Sequence, residues 1–145
     1  MARVCCEDAY SHAVTRKTFG KPLISNQVIR AKFTDMGRSI ETLHALIENL
    51  IFHSTTVTPE RRESDLAAWY ALVKVQAGRT LEEVNREAQQ VLGGLGYSRG
   101  GRGGRVEQIS RDLRVMVVGG GSDEILTDMI ARQMDAKAKK GGAKL

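Results

Sequence analysis

A chain of 145 residues is long enough to bury one apolar core and too short for two. With 41% hydrophobic and 27% charged residues it has the profile of a packed globular protein, which excludes a disordered or fibrous chain. The net charge of +5 invites an anionic partner such as nucleic acid, a membrane surface or a phosphate-bearing cofactor, but Lys137, Lys139, Lys140 and Lys144 gather beside Gly141 and Gly142 at the carboxyl end, in what reads as a solvated tail.

From the amino end, Ala2 to Thr15 reads as helical, with Val4, Ala9, Ala13 and Val14 near one face and no capping signal before it, so a helix cut from a longer one is expected. Cys5 and Cys6 are adjacent and have no second pair, which points to core or helix-face thiols in a reducing compartment. Ile29, Phe33, Met36, Ile40, Leu43, Ile47 and Leu50 recur at alternating steps of four and three, predicting a helix from Gln27 to His53 about 40 Å long. Thr58 and Pro59 then supply an N-cap and a first-turn proline for a second long helix. Leu66, Trp69, Val73, Leu81, Val84, Ala88 and Val91 form its inward stripe. Arg114 to Val118 is the one β-like run, and without a partner strand it is expected as an extended or helical connector. Ser122 can cap a last helix with Asp123 and Glu124 in its first turn and with Ile125, Met129 and Ile130 turned inward. The expected fold is all-α, an up-down bundle of about four helices over residues 1–136, followed by a flexible basic tail at 137–145. Neither a membrane span nor a secretory leader is visible, so a soluble, non-secreted protein is expected.

Two glycine clusters break the helical pattern, one from Gly93 to Gly104 and one at Gly119, Gly120 and Gly121. Glycine at this density either lets backbone approach a ligand, offering N–H groups to a phosphate, or makes a mobile connector. No Lys-Ser or Lys-Thr follows, as a P-loop needs, and no βαβ context surrounds the cluster. Arg99, Arg102 and Arg105 with the intervening glycines resemble a single RGG tract of single-strand nucleic-acid binders, but only Tyr97 is near as a stacking aromatic and helices flank it. Glu41 and His44 have di-iron bundle spacing without the second copy and further glutamates such a site requires. His12 and His53 likewise lack metal-ligand partners. A purely structural helical oligomerisation module would use the same apolar stripes.

Arg16-Lys-Thr-Phe19-Gly20-Lys21-Pro-Leu with Gln27, then Gln90-Val-Leu-Gly93-Gly94-Leu-Gly96-Tyr97, then Arg111-Asp112 and Gly120-Gly121-Ser122-Asp-Glu124-Ile125, in this order and spacing, resemble the C-terminal domain of acyl-CoA dehydrogenases. The resemblance covers the chain from about residue 2 to Arg132. It implies a four-helix bundle that pairs in dimers or tetramers, with FAD held between subunits of an enzyme that oxidises acyl-CoA. It further implies that Arg16 reaches the FAD pyrophosphate of a neighbouring subunit, that Phe19 packs on the cofactor and that Gln27 belongs to the same site. By the same resemblance Gln90, Gly93 and Gly94 line the adenosine end, and Ser122 and Glu124 contact FAD near the start of the last helix. Exposed N–H groups and an arginine are the chemistry a pyrophosphate needs.

One departure stands out. Many members carry the proton-abstracting glutamate at the position of Gly120, and glycine cannot act as a base. Other members supply that glutamate from a helix upstream of the arginine motif, so this chain is expected to be inactive by itself, no catalytic residue lying within it. Ala143-Lys144-Leu145 resembles a peroxisomal Ser-Lys-Leu address, favouring a peroxisomal over a mitochondrial location; nucleic acid and membranes are not expected as partners.

Overall fold

Five α-helices, one two-stranded hairpin and three short 3-10 turns make up the described chain, residues 1–139 of a computed structural model, leaving aside the side chains of Glu63 and Ser64. Helix α1 (Ala2–Thr15) runs into the hairpin of β1 (Lys17–Thr18) and β2 (Lys21–Pro22), and Leu23–Ser25 forms a 3-10 turn before α2 (Gln27–Thr56). Asn26 starts α2 by accepting the Val28 N–H at 3.0 Å, while Arg30 reaches back to the Ser25 carbonyl at 2.6 Å. Val57 and Thr58 turn the chain, and α3 (Pro59–Leu92) begins with proline where no intrahelical N–H is needed. Glycine-rich 3-10 turns lead to α4 (Gly104–Val118), and Gly119 to Ser122 link it to α5 (Asp123–Lys139).

Helix α3 touches all four of the others. Helix α2 runs antiparallel to it, with Lys32 paired to Glu87 and Ser39 bonded to Glu83. Helix α1 lies parallel to its second half, where Asn85 Nδ2 meets Cys5 Sγ at 3.5 Å and the Val106 carbonyl of α4 at 2.9 Å. From there α4 runs back along α3. Helix α5 continues in the same direction, with Asp123 3.2 Å from Arg79 Nε and Lys137 Nζ 2.6 Å from the Asp65 carbonyl. The two helices are therefore halves of one column broken at Gly119–Ser122. A cross-section through the α1 end meets four columns, which is why four was the right expectation for a chain with five helices. The core is centred at that end on Cys5, Ala9, Met36, Val84, Ala88 and Val106.

Several expectations need correction. Helix α2 continues past His53 to Thr56, and Arg114 to Val118 forms the last turn of α4 rather than a separate connector. Helix α5 crosses the expected boundary at 136 and holds Lys137 and Lys139 in its last turn. Ala143-Lys144-Leu145 lies outside the described residues. Ile125 is 66% exposed instead of inward, and Trp69 and Val14 are also open to solvent. Among the described residues α5 packs chiefly on α3, and Ile125 stays outside that contact. The hairpin escaped detection because two-residue strands are too short to show alternation.

Two glycines of the first cluster are required by backbone packing within the chain. A Cβ on Gly96 would lie 2.9 Å from the Gln89 Cα and carbonyl oxygen, and one on Gly103 would collide with the Leu95 carbonyl. The close approach is of backbone to backbone, so for these two positions neither a ligand nor a slack connector is the reason for glycine. Gly103→Ala is expected to cost about 1–3 kcal/mol in urea unfolding, whereas Gly104→Ala, at the first helical position of α4 with open space around it, should be neutral or slightly stabilising. Equal midpoints for the two variants would contradict this account.

Candidate functional site

The motif residues separate into two groups along α3. The first surrounds the end of that helix. Arg16 follows the last turn of α1, where its backbone N–H bonds the His12 carbonyl at 2.8 Å and its own carbonyl accepts from Leu23 at 2.7 Å, closing the hairpin. With Thr18, Leu23, His12, Gly93 and Gly94 it lines one shallow pocket. Gly93 ends α3 at φ +58°, and neither it nor Gly94 has an atom within 4 Å of where a Cβ would project, so their backbone is open to an incoming group. Phe19 and Gly20 form the two-residue loop of the hairpin, both at positive φ as a type I′ turn demands. A phenylalanine at φ +49° is strained, and its ring is fully exposed, at 105% of its reference area. Gln27, at the first turn of α2, and Gln90, in the last turn of α3, are also exposed.

The second group sits at the break between α4 and α5. Gly120 and Gly121 both take positive φ. Ser122 Oγ accepts from the Ile125 N–H at 3.5 Å, a long capping bond. The backbone N–H of Glu124 itself, then the Ser122 hydroxyl, hold the Glu124 carboxyl below its usual range, so the anion demand of this helix start is met partly from within. Arg79, opposite this break, lies fourteen residues before Gly93 on α3, which puts the two groups about 20 Å apart along the axis. Within one chain the structure thus gathers Arg16, Gly93 and Gly94 into one pocket and leaves Ser122 and Glu124 on another part of the surface.

Other candidates are accounted for inside the chain. Arg102 donates to Thr15 Oγ1 at 3.2 Å and Arg105 is paired with Asp8, so two arginines of the RGG tract brace α1. Glu41 pairs with Arg3 at 2.9 Å, and His44 faces Glu48 at 3.9 Å. Among the described residues no group of three or more His, Cys, Asp or Glu could hold a metal ion, and no helix is long and apolar enough to cross a membrane. Sequence reasoning weighed His12 only as a metal ligand and passed over its place one helical turn before Arg16, with which it lines the same pocket. It also overlooked Lys74 and Arg79, which meet the second group from α3.

The model of the acyl-CoA dehydrogenase C-terminal domain matches residues 1–135. The chain belongs to the acyl-CoA dehydrogenase family, as its C-terminal domain. It is similar to the acyl-CoA dehydrogenase AFT10-1 of Alternaria alternata, at 47% identity over 131 residues, covering 89% of this chain and 30% of that protein. It is 29% identical over 136 residues to the benzylmalonyl-CoA dehydrogenase of Aromatoleum aromaticum, covering 94% of this chain and 34% of that one. An acyl-CoA dehydrogenase structure from Mycobacterium smegmatis superposes with a TM-score of 0.83 at 29% identity, over 92% of this chain and 33% of its own. The chain therefore spans about a third of the relatives it matches.

In this acyl-CoA dehydrogenase domain His12 is 8% exposed, and its Nδ1 is buried without a hydrogen-bond partner among the described residues. Burial, then the nearby Arg16 and Arg102 charges, pushes the imidazole below its ordinary value of 6.5. The folded state therefore resists protonation more than the unfolded state does, and stability is lost as the pH falls through that ordinary value. Melting temperature is expected to drop more steeply between about pH 7.5 and 5.5 in the wild type than in His12→Gln. Parallel profiles would show that His12 does not carry this pH dependence.

Proposed function

We propose that this domain supplies two separate parts of an FAD site, one from each of two packed copies, in an enzyme that removes the α and β hydrogens of an acyl-CoA. The supporting observation is the corner around Arg16. A guanidinium without an acidic partner among the described salt bridges shares one pocket with the unshielded backbone of Gly93 and Gly94, and the hairpin that follows Arg16 carries a solvent-exposed phenylalanine at positive φ. These groups fit a flavin dinucleotide: a planar cation for the pyrophosphate, an aromatic face for a ring, and peptide groups that a ligand can touch. The bound cofactor would supply the hydride acceptor. Arg16 would bind and orient the pyrophosphate, Phe19 would cover the cofactor from water, Gln27 and Gln90 would add polar contacts, and Ser122 with Glu124 would meet FAD from the other copy.

The 20 Å separation of the two groups supports a shared site, since one chain does not bring them together. Apolar side chains left open on this chain, among them Ile51, Phe52, Trp69, Tyr70, Met116 and Ile125, supply surface for homo-oligomer contacts, and for association without catalysis if the chain acts alone. Gly120 has no side chain to take a proton, so the base of the complete enzyme comes from outside this segment. One relative is named for benzylmalonyl-CoA, so the family alone does not choose the acyl group; fatty-acid oxidation is the reading suggested by the family resemblance, and a peroxisomal location the one suggested by the terminal tripeptide.

Arg16→Ala in the complete enzyme is expected to weaken FAD retention by about 1.5–3 kcal/mol, the worth of a hydrogen bond to a charged group. Flavin absorbance after dialysis measures this, and an unchanged flavin content overturns the assignment.

A further inference from the structure

Two side chains of α3, Lys74 and Arg79, reach the break between α4 and α5, and of the two only Lys74 bonds carbonyls on both sides of Gly119 and Gly120. Lys74 is 24% exposed, with its stem in a groove beside Ala77, Gly78 and Met116. Its ammonium donates to the Val117 carbonyl, at the end of α4, and to the Gly121 carbonyl in the link, the latter at 2.6 Å. Asp123 Oδ1 lies 3.9 Å from the same nitrogen, within ion-pair range but too far for a hydrogen bond, and Arg79 Nε meets Asp123 Oδ2 at 3.2 Å. A helix end leaves its last carbonyls without intrahelical donors and carries partial negative charge, so a cation placed there satisfies the carbonyls and the dipole together. Gly78, one turn along α3, faces the same end of α4: a Cβ there would meet Val117 at 3.6 Å, an ordinary van der Waals contact.

We infer that Lys74 is the positioning residue of the Gly119–Ser122 link: by tying the Val117 and Gly121 carbonyls to α3, it sets where Ser122 and Glu124 stand. Two of the three link glycines take positive φ, a path with little conformational preference of its own, so the restraint has to come from outside the link. Lys74 supplies it from a rigid helix, and Arg79 anchors the residue that follows the link. The functional consequence rests on the FAD reading of Ser122 and Glu124; the clamp itself does not.

The experiment uses the full chain without flavin. Lys74→Met keeps the stem and removes the donors. Amide exchange over residues 119–125 is expected to speed up by about tenfold or more, the equivalent of losing a charged hydrogen bond. Exchange near Gly93–Gly96 should stay unchanged, and Lys74→Arg should restore part of the protection. The Glu124 carboxyl, followed by carbon NMR, should move up toward its ordinary value in Lys74→Met, because its low value depends on the Ser122 hydroxyl and its own N–H. Unchanged exchange in the link, or equal loss of protection along all helices, overturns the inference. If Lys74→Met does not fold, the wild type decides: acetylation of Lys74 should lag that of exposed Lys17 and Lys21, and equal labelling overturns the clamp. Loss of flavin from the complete Lys74→Met enzyme would extend the clamp to the cofactor site. A loosened link with undiminished flavin would leave the clamp standing and strike only the assignment of Ser122 and Glu124.

Discussion

Every other helix takes its position from α3. A rod of 34 residues, about 50 Å long, cannot be covered by one short neighbour, so its faces are shared out. Helix α2 accompanies it along most of its length, α1 covers only the second half, and α4 and α5 succeed one another on a third side. Asn85 shows how tightly the shared half is organised, since one amide meets both the Cys5 thiol of α1 and the Val106 carbonyl of α4. Burial pushes the Cys5 thiol up, so it behaves as a small apolar residue there. Beyond the first residues of α1, the remaining columns leave aromatic and aliphatic side chains such as Phe52, Trp69 and Tyr70 open to solvent.

The length of α3 also determines what one copy of the domain can do. Its end carries the Arg16 corner, and the midpoint of the rod faces the α4–α5 break. Nothing among the described residues folds the two toward each other. A ligand that needs both must lie across the contact between molecules or be completed by other polypeptide. The glycines have divided roles within this plan. Gly96 and Gly103 allow the chain to pass over its own backbone, Gly93 turns it out of α3, and Gly120 and Gly121 carry the link whose position Lys74 decides. One compositional signal therefore covered three physical tasks, and only one of them concerns groups left open to a ligand.

Much of the fold was legible in the residue pattern because helices announce themselves locally. The 3.6-residue periodicity and Pro59 at the start of α3 are short-range signals that the backbone obeys wherever the helix is later packed. The family motif is equally local, and three of its residues, Arg16, Gly93 and Gly94, line one pocket. Less legible were the inward and outward faces of α5, because a stripe such as Ile125 and Met129 says that a surface is apolar without saying whether this chain or another covers it. The hairpin was invisible for a different reason: its two-residue strands draw their stability from the turn and from Leu23 bonding back to Arg16.

By itself the sequence determined the helical class, the two long rods and the family, since each depends on residues close together in the chain. Tertiary structure alone decided that α4 and α5 form a single broken column, that His12 is buried beside Arg16 and Arg102, and that Lys74 reaches carbonyls 43 and 47 residues away. Those facts follow from which faces meet when rods of unequal length pack, and no pattern of neighbours along the chain encodes that geometry.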